Sequence, residues 1–153
     1  MLAASSRTPF LPLAPDVKTN FLSVLIIDDD PHIARLVATC LRSSGCILNS
    51  TLKGKEGLAL ACKIVPDVIL CDADMPDLGG PQLIEMLKLN PDTARIPVVL
   101  MTGFADPHMF SHVRWTGFLG KPFTPSELLS SLRHAVSTAL KTETVPEAVP
   151  DGE

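Results

Sequence analysis

The chain has 153 residues, 13 Lys and Arg against 17 Asp and Glu, and a formal charge of −4; that length suits one domain with a core of its own. Glu143, Glu147, Asp151 and Glu153 account for the whole excess, so the remainder is near neutral and lacks the basic footprint of a direct nucleic-acid binder. No apolar run nears the roughly 18 residues that cross a bilayer, which excludes a helical membrane span. Cys40, Cys46, Cys62 and Cys71 have no C-x-x-C spacing and read as reduced core thiols of a cytoplasmic protein.

Residues 1–20, with Pro9, Pro12 and Pro15 and no periodicity, read as a disordered leader rather than a processed targeting segment. Phe21 to Ile27 is an apolar strand that stops at Asp28-Asp29-Asp30. Pro31 suits a helix's first turn, and Ile33, Leu36, Val37, Cys40 and Leu41 recur at helical spacing until Gly45. Cys46 to Leu52 fits a second strand, and a helix after Lys53-Gly54-Lys55 holds Leu58, Ala59, Ala61, Cys62 and Val65. Residues 67–71 are a strand buried on both faces, ending in Asp72 and the turn through Gly79-Gly80. Pro81 opens a helix with Leu83, Ile84, Leu87 and Leu89 inward, closed by Asn90-Pro91-Asp92. Ile96 to Met101 is the fourth strand, a weak short helix follows around Asp106 to Val113, and Trp115 to Gly120 is the fifth strand. Pro125 to Leu140 is a strong helix with Leu128, Leu129, Leu132, Val136 and Leu140 on one face, and residues 141–153 are an acidic disordered tail. Five strand-helix units predict an α/β fold, a doubly wound parallel sheet with helices on both faces.

The ends of those strands collect Asp28 and Asp29, Asp72, Thr102 and Lys121 at one sheet edge, where such folds form ligand crevices. Taken alone, Asp72 is equally a residue that caps its turn. Clustered carboxylates repel unless a cation joins them, and a few hard oxygen ligands suit Mg²⁺. Thr102 and Lys121 are donors for an anion, and phosphoryl transfer is catalysed mainly by positioning and charge neutralisation. A metal, an anion clamp and a carboxylate nucleophile together predict a phosphoaspartate at Asp72.

Four motifs in order resemble those of the response-regulator receiver domains of two-component signalling. They are Val24-Leu25-Ile26-Ile27-Asp28-Asp29-Asp30-Pro31, Asp67 through Pro76, Pro97 through Gly103, and Gly117-Phe118-Leu119-Gly120-Lys121-Pro122-Phe123. The resemblance covers residues 21–140 and implies the flavodoxin-like strand order 2-1-3-4-5. It implies that Asp72 takes a phosphoryl group from a sensor histidine kinase or a histidine phosphotransfer protein. By it Asp28, Asp29 and Asp72 hold Mg²⁺ with the backbone carbonyl of Asp74, and Thr102 and Lys121 bind the phosphoryl oxygens. The Lys121-Pro122 bond is then cis, and Thr102 and Phe118 form a switch that changes the surface offered to a downstream protein. No membrane partner is implied, and a homodimer is one option. Such a domain is no conventional enzyme, but it catalyses its own phosphorylation and slow autodephosphorylation.

Eighteen residues separate Thr102 from Lys121, a few fewer than in similar domains, which predicts a fourth helix shorter by about one turn and leaves the partner face there open. Phe104 and Asp74, each two residues beyond a site residue, flank the pocket. His108 and His112 are four apart but have no third ligand nearby, so they read as surface residues rather than a metal pair. His32 likewise reads as a first-turn surface residue rather than a contact of the phosphodonor, and Trp115 as packing or a partner contact. Asp72-Ala73-Asp74 also resembles the D-x-D of haloacid-dehalogenase-type phosphatases, but no acidic pair follows the fifth strand. The other alternative, a receiver-fold binding module that is not phosphorylated, is disfavoured by the presence of all five site residues.

Overall fold

A computed structural model describes residues 22–103 and 107–144. The expected leader, Phe21, Phe104, Asp106 and the tail beyond Thr144 lie outside the described residues. Strand β1 (Ser23–Ile27) leads into helix α1 (Pro31–Leu41), then β2 (Ile47–Thr51), α2 (Gly54–Ile64), β3 (Val68–Asp72), α3 (Gly80–Leu89), β4 (Val98–Thr102), β5 (Gly117–Gly120) and α4 (Pro125–Thr144). All five strands are parallel in the order β2-β1-β3-β4-β5, so each return to the sheet needs a crossover.

Alternation along the central strands splits the core in two. Leu25, Ile27, Ile69, Cys71, Val98 and Leu100 pack on one face with Ala61 of α2 and with Leu83, Ile84 and Leu87 of α3. Val24, Ile26, Val68, Leu70, Val99 and Met101 face α1 and α4 through Val37, Leu41, Leu128, Leu132 and Ala135. Every residue of β3 and β4 is buried, the continuous apolar signature of strands covered on both sides. β2 is an edge strand, with Ile47 53% exposed.

Local chemistry sets the helix ends. Asp30 caps α1, its carboxylate accepting the His32 N–H at 2.9 Å. The α-helix stops at Leu41, a 3-10 turn carries the chain through Arg42–Ser44, and Gly45 turns it out with φ 76°. α2 ends instead on Val65 at φ 44°, a left-handed conformation unusual for a β-branched residue.

Several expectations are corrected. The strong last helix runs four residues beyond Leu140, into the stretch expected as tail, and Leu140 is exposed. Leu89 is 80% exposed, because Leu83, Ile84 and Leu87 already fill the inward face of α3. Ala59, Cys62 and Val65 face outward, and Gly54, Gly57 and Ala61 form the buried side of α2. The helix sits so close to the sheet that a Cβ on Gly57 would lie 2.5 Å from Ile27 Cδ1. Of the four free cysteines only Cys71 is buried, and Cys62 is exposed. The weak helix expected near 106–113 is a 3-10 helix, Pro107–Phe110, since the connection must also drop Phe110, Val113 and Trp115 onto the sheet. Among the described residues no helix is long and apolar enough to cross a membrane.

Candidate functional site

The sheet order reverses between β1 and β3, and the site lies where their carboxyl ends part. Asp28 follows β1 and is 1% exposed; Asp72 ends β3 and is 6% exposed; Asp29 is exposed. One carboxylate oxygen from each of the three lies within 4.8 Å of the others. Lys121, immediately after β5, reaches across to them, its Nζ 2.8 Å from Asp28 Oδ2 and 3.0 Å from Asp72 Oδ1. The second oxygen of Asp28 accepts the Asp30 N–H at 2.9 Å, which tightens the acidic loop.

This arrangement is electrostatically incomplete. Burial of Asp72, with Asp28 and Asp29 adding repulsion, pushes its carboxyl up to about 6 despite the Lys121 hydrogen bond. Burial acts to lower Lys121, but its hydrogen bonds to Asp28 and Asp72 outweigh that and hold it above its ordinary value. Three carboxylates against one ammonium leave two negative charges on hard oxygen donors, a set that fits a divalent cation such as Mg²⁺. Asp28, Asp29 and Asp72 are the residues that could hold it.

Thr102 ends β4 with 1% exposure, and its carbonyl accepts the Lys121 N–H at 2.7 Å. Phe118 pairs in register with Leu100, two residues before Thr102, so Phe118 and Thr102 stand on the same sheet face. The Phe118 ring lies 5.6 Å from that of Trp115 and 6.3 Å from that of Phe110, and the Trp115 indole N–H donates to the Phe110 carbonyl at 3.1 Å. Trp115 is therefore a packing residue of this aromatic group. The Lys121-Pro122 peptide is cis. Asp74 is exposed in the loop after β3. His108 and His112 are exposed, and among the described residues no group of three metal-ligating side chains includes them. His32 is exposed and turned back onto Asp30 at 3.1 Å.

Two residues beside the site escape a reading of the chain alone. Gly80, taken as part of a turn, backs directly onto the acceptor strand: a Cβ there would lie 2.5 Å from the Asp72 carbonyl oxygen. Asp77 accepts N–H groups from the start of α2, 22 and 23 residues away, and no local pattern announces that.

Comparison with known proteins gives one consistent result. The family model for the response regulator receiver domain matches residues 24–133. The DNA-binding dual master transcriptional regulator RpaA of Synechocystis is 32% identical over 133 residues, which are 85% of this chain and 54% of RpaA, so the chain spans about half of that relative. The chemotaxis protein CheY4 of Vibrio cholerae superposes with a TM-score of 0.71 at 30% identity, over 75% of this chain and 98% of CheY4. The receiver domain of the Pseudomonas aeruginosa sensor histidine kinase PA1611, with magnesium coordinated in its active-site cleft, shares the fold with a TM-score of 0.70 at 22% identity, over 76% of this chain and 98% of its own.

Proposed function

The chain belongs to the response regulator receiver domain family of two-component systems, and on that footing we propose that Asp72 is its phosphoacceptor. The observation that carries this reading is the junction of Asp28, Asp29 and Asp72 within 4.8 Å, with Lys121 bridging two of them. Asp28, Asp29 and Asp72, with the backbone carbonyl of Asp74, hold Mg²⁺. When bound, the ion neutralises the carboxylates and the phosphoryl oxygens that approach them.

The donor is a phosphohistidine on a sensor histidine kinase or phosphotransfer protein. A carboxylate oxygen of Asp72 forms the new bond to phosphorus as the P–N bond breaks, and the donor imidazole keeps the electron pair and takes up a proton. Lys121 exchanges its contact with Asp72 for a phosphoryl oxygen, and the Thr102 hydroxyl donates to another. Because Thr102 and Phe118 share a face of adjacent strands, a shift at Thr102 is passed to Phe118 and to the Trp115 and Phe110 rings against it. A changed surface around β4 and β5 then meets a downstream protein or a second copy of the chain. The setting is the cytoplasm, where such kinases present their phosphohistidine.

The test is intact mass after incubation with Mg²⁺ and a small-molecule acyl phosphate. One phosphoryl adduct with the acid and base lability of an acyl phosphate is expected, dependent on Mg²⁺ and lost in Asp72→Asn. No adduct on well-folded protein, with phosphohistidine donors failing too, would refute the proposal.

A further inference from the structure

The loop that leaves Asp72 is held by a carboxylate that the acidic site does not use. Asp77 Oδ1 accepts the Gly54 N–H and Oδ2 accepts the Lys55 N–H, both at 3.0 Å. First-turn amides have no partner inside their own helix, and Lys53, at the N-cap of α2, makes no side-chain capping bond. One side chain from another loop therefore caps α2 with both its oxygens. Those bonds, the one from Lys55 foremost, keep the Asp77 carboxyl below its ordinary range.

The same loop is closed at its base. The Gly80 N–H donates to the Ala73 carbonyl at 3.0 Å, and Gly80 fits only because it has no Cβ. At the tip Gly54 is equally tight, since a Cβ there would lie 2.6 Å from the Leu78 carbonyl oxygen. Ala73 and Met75 are buried between these two points. The backbone from Ala73 to Gly79 is thus clamped at both ends, beside the carboxylate cluster and forming one wall of an open cleft of about 780 Å³.

We propose that Asp77 is a positioning residue of the metal site: by tying the loop to α2 it fixes the backbone that carries the Asp74 carbonyl, and so sets Mg²⁺ affinity without touching the ion. This rests on the reading of Asp28, Asp29 and Asp72 as the Mg²⁺ site. The clamp needs both acceptor oxygens. An amide in place of the carboxylate accepts from only one of the two N–H groups, because its NH₂ end is a donor.

Calorimetric titration with Mg²⁺ alone, on the full chain, tests it with three variants alongside wild type. Asp77→Ala removes the clamp, Asp77→Asn halves it, and Ala59→Gly weakens α2 from its exposed side without touching the loop. The expected result is a Kd for Mg²⁺ about tenfold higher in Asp77→Ala, an intermediate rise in Asp77→Asn, and a wild-type Kd in Ala59→Gly despite its lower melting temperature. If Asp77→Ala fails to fold, the Asp77→Asn and Ala59→Gly pair makes the same comparison. A wild-type Kd in the Asp77 variants, or an equal rise in Ala59→Gly, overturns the positioning role alone. Wild-type protein that binds no Mg²⁺ overturns the metal site, and this inference with it.

Discussion

Lys121 Nζ lies 3.0 Å from Asp72 Oδ1, although 49 positions separate the two residues. Parallel pairing through β4 brings them together: Asp72 is in register with Met101, Thr102 with Gly120, and Lys121 follows directly. The contact leaves Asp72 under-compensated, since its carboxyl still stands near 6 rather than 3.8.

That imbalance makes Asp72→Asn stabilising in the absence of metal. The folded carboxyl is raised above its unfolded value, so its contribution to stability is complete below about 3.8 and is lost as pH rises through about 6. Asn has no such dependence. Above neutrality without Mg²⁺, the variant is expected to exceed wild type by about 1–3 kcal/mol, a gap that closes toward about pH 4. Urea denaturation across that range measures it, and a variant less stable than wild type at pH 8 would refute the account.

Lys121→Met should do the reverse. It strips the cation from two acids whose side chains are only 1% and 9% exposed, and an uncompensated buried carboxylate costs about 3 kcal/mol. With the ammonium gone, the three carboxylates would depend on a bound divalent cation for all of their compensation. The rise in melting temperature on adding Mg²⁺ is expected to be larger in Lys121→Met than in wild type, as read by thermal melts with and without the ion.

Gly80→Ala places a methyl 2.5 Å from the Asp72 carbonyl oxygen and 2.9 Å from Ala73 Cα. Backbone on both sides cannot give way cheaply, so a loss of about 2–4 kcal/mol is expected. Because the displaced strand end carries the acceptor, Mg²⁺ binding should weaken as well. A calorimetric titration matching wild type would show that the loop relaxes without moving Asp72.

Val65→Gly should stabilise. Val65 adopts φ 44° at the end of α2 and its side chain is half exposed, so relief of strain outweighs the packing lost. A gain of about 1 kcal/mol is expected in denaturant unfolding. Val65 precedes β3 at the sheet edge away from Asp72, and Mg²⁺ affinity should not change.

Much of this molecule is legible along the chain because its signals are local. A run such as Val98 to Met101 cannot be half-exposed, and each run stops at the polar residue that the sheet then carries to its edge. Three residues of the site, Asp28, Asp72 and Thr102, stand at the ends of such runs and are buried. Hydropathy misled on α2, where Cys62 and Val65 look like core and are exposed while Gly54 and Gly57 are buried. Apolar character measures what a side chain gains from burial. It does not register a helix packed so close that no side chain fits.

The sequence by itself determined the strand order's alternation with helices, the parallel sheet, and the set of groups delivered to its carboxyl edge, since period and strand length act over a few residues. The tertiary structure decided which groups meet. It buried Asp28 and left its neighbour Asp29 exposed, paired Lys121 with two acids rather than one, and sent Asp77 to the start of α2. Those outcomes depend on distances between segments 22 to 93 positions apart, which are set by strand register and helix approach rather than by any pattern within a segment.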